Sequence, residues 1–373
     1  MRQASITDPR SDITADLASP AHLVEIHPDD VTASLVAYTA SRVDLTRTRA
    51  VLTEGVPRFG DLVLASVTSV GHHARLENVH GRKAPLVEGT RVVVAYGRRY
   101  APDQFEAVVP EDLGPCQLVA AGGVAGRVLS RHARVRGATE LEPVGLLVDP
   151  SGRRLNTTDG AWSPPAAPAG PGPVVVLVAG ASMNSGKTTT GAMLCAGMRA
   201  AGLRVGAAKV TGTGAGNDLW AFRDSGAHHA VDFTHAGYPS TWQVPVEQLV
   251  EVFLQSLDHL AAAGCDVVVV EIADGLYQPE TAALLRHPVV QARHDGLLFA
   301  ATDPLCATAG LGWLRDNGLE ALAVTGLLSA SVLGTREFTT AVDHPVWDSA
   351  VLSDGGHAGQ LHATLLERRK VTT

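Results

Sequence analysis

Ten residues near the middle of the chain, Gly180-Ala-Ser-Met-Asn-Ser-Gly-Lys-Thr-Thr189, have the types and spacing to hold phosphate. They follow a continuous apolar run, Val174–Ala179, and open a stretch of helical periodicity, Lys187–Ala201. A glycine-rich turn at a helix start aims backbone N–H groups at an anion that the helix dipole already favours. Gly180 and Gly186 permit close backbone approach, and the backbone from Asn184 and Ser185 to Thr189 supplies donors. Lys187 is placed to reach the β and γ phosphates, and the Thr188 hydroxyl to hold Mg²⁺. Of 30 basic residues only Lys83, Lys187, Lys209 and Lys370 are lysines. Where arginine is the habitual cation, a retained lysine points to a need for a compact ammonium.

Further charged residues close or follow the other apolar runs. Lys209 closes a second predicted strand, Leu203–Val210, and Glu271 follows four valines in Cys265–Ile272. A carboxylate at the end of a buried strand is costly unless it has a partner or a task. Asp218, in GNDLWAF, can serve as an N-cap for the helix that follows. Asp274 lies in the loop after Glu271.

Five residues separate the two loop glycines, one more than the common spacing. The loop resembles those of the dethiobiotin synthetase and cobyrinic acid amide synthase families of P-loop proteins, relatives of the MinD/ParA ATPases. That resemblance covers roughly residues 174–330. It implies that Lys209 contacts a substrate, and that Thr188, Asp218 and Glu271 hold one Mg²⁺. It also implies ATP as nucleotide, γ-phosphoryl transfer to a small-molecule carboxylate in amide- or ring-forming chemistry, and a homodimer. A simple small-molecule kinase uses the same parts, and a nucleotide-operated switch with a protein partner is the alternative. The chain departs from the family in three places. Its EGAGG segment is EIADG here, Thr325-Gly-Leu-Leu-Ser329 stands where an adenine-reading asparagine is expected, and the early lysine of MinD/ParA loops is absent.

The elements that must position these residues alternate. Apolar runs at Val174–Ala179, Leu203–Val210, Cys265–Ile272, Gly296–Ala301 and Ala321–Gly326 are interleaved with helical patterns. The latter cover Lys187–Ala201, Val246–Ala263, Pro304–Asp316 and Gly359–Arg368. That rhythm predicts an α/β domain with a doubly wound, mostly parallel sheet over residues 174–373. Residues 1–159 read as a smaller β-rich domain, barrel-like in the OB manner or a sandwich, with strands at Asp61–Ser69, His73–Val79, Thr90–Tyr96 and Gln117–Ala120. The Pro/Gly-rich stretch 160–173 reads as a linker. The glycine-rich Leu118–Val128 suggests either close backbone approach to a ligand or tight turns and packing.

Composition narrows the classes. With 373 residues, 45 % hydrophobic and 18 % charged, the chain can bury a sizeable core, and a net charge of −8 opposes a general polyanion binder. No apolar run is long enough to span a membrane, and the polar N-terminal segment predicts a cytoplasmic protein. Four scattered cysteines fit apolar packing in a reducing compartment. The cluster His228-His229, Asp232, His235 raises a metal site but lacks the spacing of a zinc centre, so a loop role is expected. Arginines beside Tyr96, Tyr100 and Phe105 raise single-stranded nucleic acid. With 19 acidic residues in the same segment, a mixed solvated surface fits better.

Overall fold

A computed structural model describes residues 22–163, 165 and 170–372. Residues 164 and 166–169 of the proline-rich stretch lie outside them, as do the first 21 and the last. The chain divides into two units that are not strictly consecutive. The first holds Met1–Trp162 with Thr213–Asn217 and Phe233–Pro245; the second holds Ser163–Gly212, Asp218–Asp232 and Val246–Thr373.

The first unit carries β1 (Leu23–Glu25), α1 (Pro28–Thr32), β2 (Leu35–Val36), β3 (Ala50–Leu52), β4 (Leu62–Ser69), β5 (Arg75–Glu77) and β6 (Lys83–Pro85). There follow β7 (Arg91–Tyr96), β8 (Arg99–Tyr100), β9 (Phe105–Val108), β10 (Cys116–Ala120), β11 (Val124–Arg131) and β12 (Thr139–Val148). Because β10 pairs with both β11 and β12, the strands β12, β4, β7, β11 and β10 close a five-membered ring. Only the β7–β11 pairing in it is parallel. Period-2 alternation fills the inside with Val63, Ala65, Val67, Val92, Val94, Tyr96 and Leu141. The intervening Leu62, Leu64, Val93 and Ala95 are buried too, under Val31, Ala40 and Val43. These strands therefore form a closed ring with part of its outer face covered.

The glycine-rich segment serves chain packing. A Cβ on Gly122 would lie 2.0 Å from the Gly214 carbonyl oxygen, so only glycine lets the two backbones approach. Nearby, the buried Glu77 accepts from the Gly216 N–H at 3.1 Å.

The second unit carries β13 (Val174–Gly180), α2 (Lys187–Ala200), β14 (Val205–Lys209), α3 (Asn217–Asp224), β15 (His229–Asp232), α4 (Val246–Ala262) and β16 (Val267–Glu271). After these come α5 (Pro279–Arg286), α6 (Pro288–Arg293), β17 (Gly296–Ala300), α7 (Pro304–Asp316), β18 (Ala323–Thr325), α8 (Val332–Ala341), α9 (Ser349–Ser353) and α10 (Gly355–Thr372). Its six strands run in the order β15-β14-β16-β13-β17-β18, all parallel. Every residue of β13, β16 and β17 is buried, as a sheet covered on both faces requires. The α/β doubly wound architecture expected of the C-terminal half is what the chain adopts.

Strand register then sets the site. Lys209 stands opposite Glu271, Gly180 opposite Ala300, and Ala300 opposite Thr325. All lie at the carboxyl ends of parallel strands, the edge where ligands bind in open α/β sheets.

Candidate functional site

The turn between β13 and α2 is wound tightly enough to force left-handed backbone at two residues. Asn184 has φ 58° and Gly186, the residue that caps α2, has φ 100°. A Cβ on Gly186 would meet the Gly326 Cα at 2.8 Å, which fixes glycine there on two counts. The loop is anchored by the Ala181 N–H donating to Ala300 O (2.9 Å) and the Leu327 N–H donating to Ser185 O (3.1 Å). Lys187 folds back over it, its Nζ donating to Ser182 O at 2.8 Å. Burial lowers the Lys187 pKa, while Glu271 and Asp274 pull the other way.

Behind the loop the predicted residues are joined in one chain of contacts. The Thr188 hydroxyl donates to Asp218 Oδ1 (3.2 Å), Lys209 Nζ pairs with Asp218 Oδ2, and the same ammonium lies 3.2 Å from Glu271 Oε1. Burial works against the Lys209 charge, but Asp218 and Glu271 outweigh it and hold the pKa above its ordinary value. Asp218 sits within the first turn of α3, its carboxylate turned to Thr188 and Lys209 rather than capping.

Two buried oxygens in this group have no hydrogen-bond partner among the described residues: Ser185 Oγ and Glu271 Oε2. An ionised carboxylate oxygen left bare inside a protein is costly, and a bound cation or a water on it relieves the cost. The donor set of one hydroxyl and two carboxylates suits a hard cation such as Mg²⁺. Among the described residues no three His, Cys, Asp or Glu side chains gather to hold a metal without such help.

Asp274 also adopts a left-handed backbone, φ 66°, at the position where the EGAGG pattern has glycine. Gly275 beside it packs against the phosphate loop, where a Cβ would lie 2.4 Å from Ala181 O. The histidine cluster disperses. His228 Nδ1 accepts from the Val205 N–H, His229 faces Arg204, and His235 lies against Arg42.

A cavity of about 370 Å³ adjoins the start of α2, lined by Gly186, Thr189, Thr190, Thr325, Ser329 and Asp348 among others. Sequence reasoning marked Thr325–Ser329 for this place and missed Asp348. Its signal was a short one: Val346-Trp347, then an N-cap aspartate.

Strand, phosphate loop, helix and parallel sheet together define the P-loop NTPase fold. No family model and no curated protein matches the chain. Solved structures similar to it include the signal recognition particle receptor FtsY from Elizabethkingia anophelis, at 20 % identity over 49 % of this chain and 60 % of that one, TM-score 0.34. The 54 kDa signal recognition particle protein from Aeropyrum pernix K1 in complex with GDP matches at 18 % identity, over 57 % of this chain and 52 % of that one, TM-score 0.35. A nucleotide-binding protein from Archaeoglobus fulgidus in complex with ADP matches at 12 % identity, over 50 % and 88 %, TM-score 0.33. The matches thus span less than two thirds of the two signal-recognition proteins. Among the described residues no helix is long and apolar enough to cross a membrane.

Proposed function

We propose that the protein transfers the γ-phosphoryl group of a Mg²⁺-bound nucleoside triphosphate to a small-molecule carboxylate. The family that the loop resembles uses ATP for this. The observation that carries the reading is the buried Thr188–Asp218–Lys209–Glu271 chain, with its bare Glu271 Oε2, beside the phosphate loop.

In this reading the backbone from Asn184 to Thr189 cradles the β and γ phosphates, and Lys187 swings from Ser182 O onto them. Thr188, Asp218 and Glu271 would hold Mg²⁺, which supplies charge neutralisation on the phosphoryl oxygens. Engaging both carboxylates leaves the Lys209 ammonium short of counter-charge, and it then binds and orients the acceptor carboxylate. An acceptor oxygen forms a bond to the γ phosphorus as the bond to the β–γ bridging oxygen breaks, giving an acyl phosphate and a nucleoside diphosphate. An amine can then displace inorganic phosphate, losing a proton, to close an amide or ring. Positioning and electrostatics do most of this work.

A second reading, hydrolysis driving a contact with a second copy or a protein partner, draws on one observation. Tyr277, Leu305, Leu327, Val332 and Leu333, all in segments that follow β16, β17 and β18, are largely exposed.

The test is nucleoside diphosphate release from Mg–ATP and Mg–GTP, with and without fractionated small carboxylic acids and amines. Release that is low alone, rises with one fraction and drops at least about 100-fold in Lys187→Ala supports the enzyme. A rate that ignores every fraction and climbs with protein concentration favours the switch. Equal rates in wild type and variant remove both.

A further inference from the structure

The cavity beside α2 touches the phosphate loop at Gly186 and Thr189, which makes it the candidate seat of a nucleotide's base. This inference rests on the nucleotide reading above and adds the identity of the base. Val324 and Val346 form a parallel bridge, with the Val324 N–H donating to Pro345 O and the Trp347 N–H to Val324 O, both at 2.9 Å. That bridge continues the sheet one step beyond β18. Asp348, the next residue, is therefore held at the same carboxyl edge as the phosphate loop. It is fixed further by capping α9, where Oδ1 accepts from the Val351 N–H at 2.9 Å.

Among the described residues Asp348 is the one charged side chain lining the cavity, and the rest of its polar lining is hydroxyl, from Thr189, Thr190, Thr325, Ser329 and Ser349. An ionised aspartate is acceptor-only. Ser329 spends its hydroxyl proton on Gly326 O (2.8 Å), and Thr190 and Thr325 share one bond between their hydroxyls (2.9 Å). Among the described residues no Asn, Gln, Lys, Arg or His lines the space. Guanine presents two adjacent donors, N1–H and the N2 amino group, which fit one carboxylate. Adenine presents its amino group next to the N1 lone pair, so the same carboxylate would face an acceptor.

We propose that this cavity takes a guanine base and that Asp348 selects it over adenine by accepting from N1–H and N2–H. The full chain is titrated with N-methylanthraniloyl-GDP and -ADP, in competition with unlabelled GDP, ADP and xanthosine diphosphate. Wild type and the variants Asp348→Asn and Lys187→Ala are run in parallel. Asparagine preserves the α9 cap, and unchanged thermal unfolding of that variant confirms it.

The expected result is GDP binding about 10- to 100-fold tighter than ADP, the range of a hydrogen-bond pair to a charged group. In Asp348→Asn that preference collapses as GDP weakens, and ADP and xanthosine diphosphate both gain, because the amide can donate to adenine N1 and to xanthine O2. Equal or tighter ADP binding in wild type, lost in Lys187→Ala, overturns the base assignment and leaves the nucleotide reading standing. A GDP preference that survives Asp348→Asn overturns the role of Asp348. Absence of binding by either nucleotide removes both.

Discussion

Two buried carboxylates, Asp61 in the barrel and Glu271 beside the phosphate loop, have nearly the same exposure and opposite surroundings. Asp61 Oδ1 accepts from Asn156 Nδ2 (3.0 Å), and Oδ2 accepts from the Arg58 N–H (3.0 Å) and pairs with Arg154 (3.3 Å). Its environment is closed. Glu271 shares one oxygen with Lys209 and leaves the other bare, and the lysine is itself divided between two acids. A satisfied buried charge serves the fold, whereas an unsatisfied one is a site held ready for something the chain does not supply.

The sharpest way to break that distinction is Glu271→Gln. The substitution removes the anion whose second oxygen lacks a partner, and Lys209 keeps Asp218. Turnover should fall by about 100-fold or more, with the thermal midpoint unchanged or slightly raised. A large drop in midpoint with turnover intact would make Glu271 a structural group like Asp61.

The converse variant, Asp61→Asn, should leave nucleotide turnover within about twofold and cost roughly 3 kcal/mol of stability. It removes the ion pair of Arg154, which keeps only the Val56 carbonyl on Nη1, and sets an amide against the donors of Arg58 and Asn156. Denaturant unfolding followed beside a turnover assay separates the two quantities. A neutral change would mean that water replaces the carboxylate at no cost.

The parts of the molecule that sequence disclosed are those whose physics is local. The run Val174–Ala179, the stripe of α4 and the helix Pro304–Asp316 fall within a residue or two of their elements, because continuous burial and 3.6-residue spacing leave direct marks. The register that sets Lys209 opposite Glu271 is non-local, yet both ends were legible as charges closing apolar strands. Other elements left no such mark. β12 carries Pro143 and Gly145 at a register shift, which breaks its alternation. β15 lies inside the histidine cluster, so His229 drew attention as a metal ligand rather than as a strand residue. Asp348 follows a single β-bridge, too short for any periodicity to reveal. The closing of the barrel needs β12 to reach back to β4, pairing Glu140 with Ser69, and composition says nothing of a contact so distant in sequence.

A smaller effect extends the comparison to pH. His73, in the barrel unit, is packed against Phe105 and His72, with ring centroids 5.8 and 4.9 Å away, and its Nε2 donates to Val119 O at 3.1 Å. Burial, and then the nearby Arg99 and His72, pull its pKa down to about 3. In the unfolded chain the imidazole titrates near 6.5, so between the two values the unfolded state binds more protons. Stability contributed by neutral His73 is complete above that range and declines as pH falls through it. Between pH 7 and pH 5 the loss from this group is about 1–2 kcal/mol. In His73→Gln the amide can still donate to Val119 O but takes up no proton, so the variant should lose that much less than wild type over the same interval. Matching pH dependence in the two proteins would show that His73 is charged in the folded barrel. The imidazole would then be solvated or paired in the fold, as the Asp61 carboxylate is paired, rather than kept neutral by burial.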